Sequence, residues 1–263
     1  MKPIIKALRL PVCFMAGALV LAAFRISNLS VSLTWLPSLA TMLITSATMV
    51  WNDYCDRNHD AKKGKTTASE HSQLFLAFAT AMWLIALVLV ALALRQESRF
   101  SQPMIILIMV GLCYSAVRQI PLLPNLAVAT AAALPALLPV FVGHTDPSLW
   151  ILFASTFLAI HAREILKDFD DREHDPGYKW TLIQWLGEDR TKKIVICLLW
   201  LATLLVLGAL ILRGHRWFMF IVFWPAIHQL QESRDCHPKT ISVTKLAMDL
   251  GIGLLLASLI LPV

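Results

Sequence analysis

The sequence is short of charged residues, and this shortage limits the classes of protein to which it can belong. Charged residues occupy 15% of the 263 positions, whereas soluble domains have roughly 25%. Hydrophobic residues occupy 57%, and the mean hydropathy is +0.66. The five cysteines are scattered without a C-x-x-C pair, which argues against a disulfide framework and against a zinc site. The composition indicates a protein whose solvent is a lipid bilayer.

Long apolar runs occupy most of the chain. A helix that spans a bilayer needs about 20 mostly apolar residues. Basic residues precede the first run but no small-residue cleavage site follows it, so we expect a membrane helix rather than a signal peptide. Two neighbouring runs are separated only by Pro121. The sequence predicts an all-α, multi-pass membrane protein with about nine transmembrane helices. The runs lie near residues 4–24, 31–51, 73–94, 102–120, 122–143, 148–166, 194–212, 216–231 and 241–261.

Basic residues are distributed unevenly between the predicted loops on the two sides of the membrane. With the amino terminus inside, five of the 23 Lys and Arg residues fall on the outer side and the rest fall inside. This bias follows the positive-inside rule. It also accounts for the net charge of +6, so no nucleic-acid partner is indicated. We expect an integral protein of a bacterial-type inner membrane. The five outer residues are Arg25, Arg95, Arg99, Arg213 and Arg216.

Two short acidic segments repeat each other, each at the cytoplasmic end of a predicted helix. The first, N-D-Y-C-D-R-N-H-D, covers Asn52–Asp60, and the second, K-D-F-D-D-R-E-H-D, covers Lys167–Asp175. A single segment of this kind is usually a solvated loop. Its duplication in equivalent positions indicates a function. Aligned without gaps, the identical pairs are Asp53/Asp168, Asp56/Asp171, Arg57/Arg172, His59/His174 and Asp60/Asp175.

The spacing within each segment predicts a magnesium site. On a continued helix, the acidic groups of each segment fall within a sector of about 100°. Like charges three or four positions apart destabilise a helix, so a bound cation is expected to offset them. Magnesium prefers oxygen ligands and joins one or two carboxylates to substrate phosphates. We predict two facing rows of carboxylates with metal ions and a diphosphate between them. The residues in the sector are Asn52, Asp53, Asp56 and Asp60, and Lys167, Asp168, Asp171 and Asp175.

Two other metals fit the segments poorly. An EF-hand calcium loop needs ligands at alternate positions and a central glycine, and neither segment has them. A zinc site needs converging His or Cys ligands. Here His59 and His174 each lie among carboxylates.

Four stretches of the sequence resemble the UbiA superfamily of intramembrane prenyltransferases. N-D-x-x-D-x-x-x-D at Asn52–Asp60 resembles the first signature of that superfamily. The segment Arg163–Gly187, with its trailing K-x-T-L, resembles the second. Tyr114–Ala129 is similar to the segment that carries a tyrosine-plus-basic motif and a following Asn. L-R-L-P-x-x-x-M-A-G at Leu8–Gly17 is similar to the first helix.

This resemblance implies a horseshoe of helices in a single domain over residues 1–263, around a central cavity that opens sideways to lipid. Both acidic motifs would face each other at its cytoplasmic mouth and bind Mg²⁺ and a prenyl diphosphate. The sequence departs from the family pattern on the acceptor side, which leaves the acceptor open. This sequence has Val12 where the family pattern has an Asn, Arg118 where it has a Lys and His174 where it has a Gly. The loop after Asp60 is basic, as in the family, but lacks the family's prolines.

Candidate roles follow from the resemblance and from charge. Glu164 is expected to orient Lys167 or a metal-bound water, and Arg9 to extend towards the membrane surface without a role in the site. Tyr114 would contact a phosphate or the reacting cation, with an interfacial belt residue as its alternative. Expected metal ligands are Asn52, Asp56, Asp60, Asp168, Asp171 and Asp175. Expected catalytic residues are Asp53, Asp56, Asp168, Asp171 and Tyr114. Expected diphosphate ligands are Arg57, Arg118, Lys167, Arg172 and Lys179.

The expected reaction is transfer of an isoprenyl group to an aromatic or other small lipophilic acceptor. Ionisation of the diphosphate would give an allylic cation, which the acceptor captures. Alternatives on the same scaffold are a terpene cyclase, which needs no acceptor, and a polyprenyl-phosphate glycosyl-type transferase. A divalent metal transporter is a remote alternative. Its acidic residues should lie in mid-membrane, and basic neighbours would repel a metal cation.

Overall fold

The computed structural model describes residues 7–117, 119–120, 122–173, 175, 177–212, 223–233 and 237–260, which form helices joined by turns without any strand. Three 3-10 helices cover Ser98–Phe100, Tyr114–Ala116 and Leu134–Leu137. In chain order the α-helices are α1 (Leu10–Ile26), α2 (Val31–Lys62), α3 (Thr67–Glu70), α4 (Ser72–Gln96), α5 (Ser101–Cys113), α6 (Leu123–Ala133), α7 (Leu138–Phe141), α8 (Pro147–Asp171), α9 (Leu182–Leu186), α10 (Glu188–Leu212), α11 (Trp224–Glu232) and α12 (Pro238–Ile260).

Six helical segments of the described residues are long and apolar enough to cross a membrane. Two further apolar helices, α1 and the segment Ser98–Cys113, are shorter. The prediction of a multi-pass, all-α membrane protein is therefore confirmed, but the count of nine spans is not. The predicted run at 216–231 lies partly outside the described residues, since only its α11 portion is seen. The six segments are α2, α4, Leu123–Phe141, α8, α10 and α12.

The predicted break at Pro121 lies within a longer interruption. Helix α5 ends at Cys113, a 3-10 turn covers Tyr114–Ala116, and α6 begins only at Leu123. The span after this interruption joins α6 to α7 through a 3-10 turn that contains Pro135. Proline lacks an amide hydrogen and disrupts a regular α-helix, which explains why this span is composite.

Helix α2 is long enough to place the first acidic segment beyond the hydrocarbon core. Its 32 residues correspond to about 48 Å at 1.5 Å per residue, against about 30 Å for the core. Helix α8 has 25 residues and begins at a well-formed cap, where the Asp146 side chain accepts from the Ser148 amide at 2.8 Å. It ends at Asp171, inside the second acidic segment.

The contacts divide the chain into two compact units. One consists of the chain up to Ala116 together with Leu138–Thr145, and the other consists of Val117–Leu137 together with the chain from Asp146 onward. The first acidic segment belongs to the first unit and the second segment to the second. The prediction of one domain over residues 1–263 stays a prediction.

Within the first unit, α2 packs against α1, α4 and α5. Two glycines allow close approach to it. A Cβ atom at Gly17 would lie 2.5 Å from Met42 Cγ, and one at Gly111 would lie 2.3 Å from Thr48 Oγ1. Ser38 Oγ also donates to the Gly17 carbonyl at 2.8 Å. Small residues of this kind bring membrane helices together.

Within the second unit, α8 packs against α6, α10 and α12. Its buried residues include Glu164 and Asp168 as well as apolar side chains such as Ile165, Leu166 and Phe169. Acidic groups are therefore held inside the packed part of this unit, where each needs a donor or a cation.

Candidate active site

The first acidic segment is helical throughout, as predicted, because α2 continues to Lys62. Asn52 Nδ2 donates to Asp56 Oδ2 at 3.0 Å, one helical turn further along. Asn52, Asp56 and Asp60 are each partly exposed. Oxygen atoms of this type, accessible from solvent and closely spaced, suit a hard divalent cation.

Asp53 pairs with a basic residue that was not expected in the site. Arg9 Nη2 donates to Asp53 Oδ1 at 3.0 Å, and the Arg9 side chain is 40% exposed. Arg9 has a left-handed backbone, with φ 47° and ψ 49°, immediately before α1. Such a conformation is uncommon for a residue other than glycine. The sequence did not predict this contact with Asp53, and the expectation that Arg9 lies outside the site stays a prediction. The ion pair depends on packing of the chain start against α2.

Arg57 is held against its own helix. Its Nη1 donates to the Tyr54 carbonyl at 2.8 Å, and its guanidinium carbon lies 4.2 Å from the centroid of the Tyr54 ring. A cation over an aromatic face is attracted by the ring quadrupole. Because a guanidinium has five N–H donors, this placement is compatible with the predicted role in phosphate binding.

The second acidic segment is helical only as far as Asp171, so the prediction of a helix through Asp175 is wrong. After a turn, the Asp175 amide donates to the Asp171 carbonyl at 3.0 Å, and the Asp175 carbonyl accepts from the Tyr178 and Lys179 amides. Asp175 is only 3% exposed. A proline follows Asp175 and disfavours the helical conformation at that residue, whereas the helix ends four residues earlier, at Asp171. Gly177 then has φ +80°.

Asp168 lies in the interior of the second unit and has a donor at each carboxylate oxygen. Lys179 Nζ donates to Oδ1, and Asn125 Nδ2 donates to Oδ2 at 3.0 Å. Asp168 is 1% exposed and Asn125 is 4% exposed. Asn125, on α6, was not among the predicted site residues. Its sequence signal was the resemblance of Tyr114–Ala129 to a family segment in which an Asn follows the tyrosine-plus-basic motif.

Lys179 carries its charge in a largely buried position. Burial by itself lowers the pKa of its ammonium group, but the Asp168 carboxylate beside it outweighs this effect, and the pKa of Lys179 lies above its ordinary value. The charged form is therefore the stable one at neutral pH. Its side chain is 13% exposed.

A chain of charged groups continues along α8. Lys167 Nζ donates to Glu164 Oε1, which agrees with the expectation that Glu164 orients Lys167. Arg163 lies 3.6 Å from the same carboxylate oxygen. Arg163 also forms a two-point contact with Asp249 on α12, at 2.9 and 3.2 Å. Asp249 had no signal in the motifs, because it lies 86 residues from Arg163.

The remaining predicted residues have separate surroundings. Arg172 Nη1 lies 3.4 Å from Glu188 Oε1 at the start of α10. Tyr114 is partly buried in the 3-10 turn after α5, and this turn packs against α2. Arg118 lies outside the described residues, as does His174, so the expected neighbourhood of Tyr114 and Arg118 stays a prediction.

The donor groups of the two segments fit magnesium unequally. In the part of the chain that the structure describes, no three His, Cys, Asp or Glu side chains are grouped to hold a metal ion by themselves. Magnesium usually completes its coordination with substrate phosphates and water, and the partly exposed oxygens of Asn52, Asp56, Asp60 and Asp171 fit this mode. Asp168 fits it poorly, because both of its oxygens already accept hydrogen bonds from Lys179 and Asn125.

Comparison with known proteins identifies the family. The model of the UbiA prenyltransferase family matches residues 10–236, and the chain belongs to this family. No curated protein is similar enough in sequence to count as a match. The family predicted from the two acidic motifs is therefore confirmed.

Solved structures share the fold of this chain at low sequence identity. A digeranylgeranylglyceryl phosphate synthase has a TM-score of 0.64 and 19% identity, over 98% of this chain and 98% of that chain. An apo UbiA homologue from Aeropyrum pernix K1 has a TM-score of 0.64 and 15% identity, over 93% and 96%. A UbiA homologue from Archaeoglobus fulgidus, bound to GPP and Mg²⁺, has a TM-score of 0.60 and 19% identity, over 97% and 100%. These likenesses confirm the all-helical UbiA-type fold.

Proposed function

We propose that this protein is a Mg²⁺-dependent intramembrane prenyltransferase that transfers an isoprenyl group from a prenyl diphosphate to an aromatic or other small lipophilic acceptor. The observation that carries the proposal is the pair of acidic segments, each of which combines carboxylates with basic side chains in a member of the UbiA family. The UbiA homologue from Archaeoglobus fulgidus, bound to GPP and Mg²⁺, supports the choice of ligand.

The two segments are proposed to face each other at the cytoplasmic mouth of one cavity, within a single domain of an inner membrane. Carboxylate and amide oxygens of both segments would hold Mg²⁺. When bound, the metal would neutralise the diphosphate and make it a better leaving group. The proposed ligands are the partly exposed Asn52, Asp56, Asp60 and Asp171, together with Asp175, which is buried and would have to become accessible to bind the metal.

The basic residues of both segments would bind the phosphate oxygens. Arg57, Lys167 and Arg172 lie within or beside the acidic segments, and Arg118 follows Tyr114 in the sequence. Fixed positive charges aimed at a developing oxyanion are often the largest electrostatic contribution to catalysis. Tyr114 would donate to a phosphate oxygen or present its ring to the allylic cation.

The bond changes are those of a substitution at carbon. The bond between the allylic carbon and the bridging oxygen breaks, and the diphosphate leaves with the electron pair. A nucleophilic carbon of the acceptor forms a bond to the allylic carbon and then loses a proton. In a cyclase, an internal double bond of the prenyl chain would take the place of the acceptor.

Product analysis tests the proposal. The purified protein in lipid nanodiscs is incubated with prenyl diphosphates of increasing length, with and without aromatic and lipid acceptors, and the products are examined by mass spectrometry. We expect a prenylated acceptor that requires Mg²⁺ and disappears with EDTA. A cyclic hydrocarbon formed without acceptor would instead identify a terpene cyclase. Transfer of a sugar phosphate to a polyprenyl phosphate would identify a glycosyl-type transferase. Metal uptake without any diphosphate requirement would contradict an enzymatic role.

A further inference from the structure

The second position of each acidic segment is occupied by an aspartate that holds a basic side chain from outside the segment. In the first segment Asp53 accepts from Arg9 at 3.0 Å, across 44 positions of sequence. In the second, Asp168 accepts from Lys179, across 11 positions. Asp56, by comparison, accepts from the amide of Asn52 within its own segment. The aspartates of the repeat thus differ in the donors that they hold.

The environment of Asp168 shows what an aspartate at the second position can do. Its carboxylate is buried, and each oxygen has one donor, from Lys179 and from Asn125. Binding a metal ion directly would require it to give up one of these donors or to move. Either change would leave a buried polar group without a partner, which is costly.

The contact with Asp168 fixes Lys179 but uses only part of its hydrogen-bonding capacity. An ammonium group has three N–H donors, and one of them is directed at Asp168 Oδ1. Lys179 follows Asp175 by four residues, and its amide donates to the Asp175 carbonyl at 3.0 Å. Both its backbone and its side chain are therefore fixed next to the second acidic segment. A fixed, charged donor binds an anion with less loss of conformational entropy than a mobile lysine.

From these contacts we propose that Asp168 and Asn125 are positioning residues for the diphosphate-binding cation Lys179, rather than Asp168 being a metal ligand. Asn125 fixes the orientation of the Asp168 carboxylate, and the carboxylate fixes the ammonium group of Lys179. The identity of the anion as a diphosphate rests on the proposed function. The placement of the three side chains rests on their contacts alone.

The test compares Asp168→Asn, Lys179→Met and the double variant, with Lys193→Met as a matched control. Lys193 is an exposed lysine on α10. Three quantities are measured in nanodiscs: binding of inorganic pyrophosphate by calorimetry at saturating Mg²⁺, the KM for prenyl diphosphate, and the Mg²⁺ concentration for half-maximal rate. Each single variant should weaken pyrophosphate binding about tenfold, as expected for one lost charge-assisted hydrogen bond. The Mg²⁺ requirement should stay within about twofold of wild type, a difference well below one such bond.

The double variant decides between positioning and metal binding. If Asp168 acts through Lys179, the double variant binds pyrophosphate no more weakly than Lys179→Met, because the two effects do not multiply. A large increase in the Mg²⁺ requirement of Asp168→Asn, with pyrophosphate binding preserved, would overturn the proposal in favour of a metal ligand. Multiplying effects would overturn it as well.

Conservative variants at Asn125 and Lys179 distinguish the loss of one contact from misfolding. Asn125→Asp is close to isosteric but removes the donor, and should weaken pyrophosphate binding in the same direction as Asp168→Asn. Lys179→Arg keeps the charge and should restore most of the binding lost in Lys179→Met. Melting temperature and gel filtration identify any variant that does not fold, and the remaining variants carry the test.

The outcomes also separate this proposal from the proposed function. If wild-type protein forms no prenylated product, the proposed function fails. Weaker pyrophosphate binding by Lys179→Met and Asp168→Asn would still support the positioning of an anion-binding lysine. If wild type and Lys179→Met bind pyrophosphate equally, the positioning proposal is wrong even where prenyl transfer is observed.

Discussion

The two acidic segments have nearly the same side chains on different backbones. The first stays within α2 to its last aspartate, and Asp60 is partly exposed. The second leaves α8 after Asp171, and Asp175 is buried in the turn beyond it. Ala61 continues α2 beyond the first segment, whereas α8 ends at Asp171 and the proline after Asp175 disfavours a helical conformation at Asp175. Two segments with the same motif can therefore have different backbone geometry, and aspartates at equivalent positions can have different functions.

The largest expected effect tests whether both segments are needed for turnover. Asp56→Ala and Asp171→Ala should each lower kcat by at least about 100-fold, because each removes an anionic group proposed to hold the metal at the leaving group. The rate of prenyl transfer by purified protein is the measurement. Asn58→Ala and Glu173→Ala are matched controls, since both side chains are exposed within the same segments. Activity retained in either aspartate variant would show that one segment suffices.

The next effect separates the last aspartates of the two segments. Asp175→Ala should destabilise the protein by about 1–3 kcal/mol, because it removes a buried carboxylate whose charge stabilises the nearby ammonium group of Lys179. Asp60→Ala should change stability by less than about 0.5 kcal/mol, the usual range for a position near the surface. Melting temperatures in one detergent compare the two. Equal shifts would mean that burial of Asp175 does not matter to the fold.

A smaller effect concerns the glycine that lies after each segment. Gly64 has φ +76° and Gly177 has φ +80°, and a Cβ atom would meet nothing within 4 Å at either position. Alanine should therefore cost about 1–2 kcal/mol through the backbone alone at both sites. Only Gly177→Ala should also raise the KM for prenyl diphosphate, because it lies two residues before Lys179. A similar rise in Gly64→Ala would argue against a special place for Lys179.

The smallest effect concerns the exposed ion pair of the first segment. The Arg9 side chain is 40% exposed and the Asp53 side chain is 19% exposed, and ion pairs near the surface contribute about 0–1 kcal/mol to stability. Arg9→Met should thus lower the melting temperature only slightly, and the difference from wild type should shrink in about 1 M salt, where the Debye length is about 3 Å. A strong, salt-independent loss would place this pair in a drier environment than that of a surface contact.

Much of the fold and part of the candidate site could be predicted from the sequence. The apolar runs predict the spanning helices, and the spacing of the acidic residues points to the family. Both signals are local, since they depend on residues within one or two helical turns. The pairs Arg9–Asp53, Asn125–Asp168 and Arg163–Asp249 join residues 43 to 86 positions apart. Such pairs depend on how helices pack, and no periodicity in one sequence reports them.

The end of α8 is the place where local reasoning fails most clearly. The repeated spacing predicts that the helix continues through all nine residues of the second segment, with the acidic groups on one face. A proline nevertheless follows Asp175 directly. The helix boundary at Asp171 changes the site, because Asp175 is buried and its carbonyl accepts from the amide of Lys179. The proline alone predicts a helix end near Asp175, four residues beyond the observed end at Asp171.

The contact between Arg163 and Asp249 has a consequence for how the chain is made. Helix α12 lies beyond the stretch that matches the family model, which ends at residue 236, yet its Asp249 supplies the counter-charge for a guanidinium on α8. During synthesis, Arg163 gains its two-point contact with Asp249 only after α12 has been made. A polypeptide terminated before α12 would leave Arg163 with only its 3.6 Å contact to Glu164, and cellular quality control should degrade it even though both acidic segments are present.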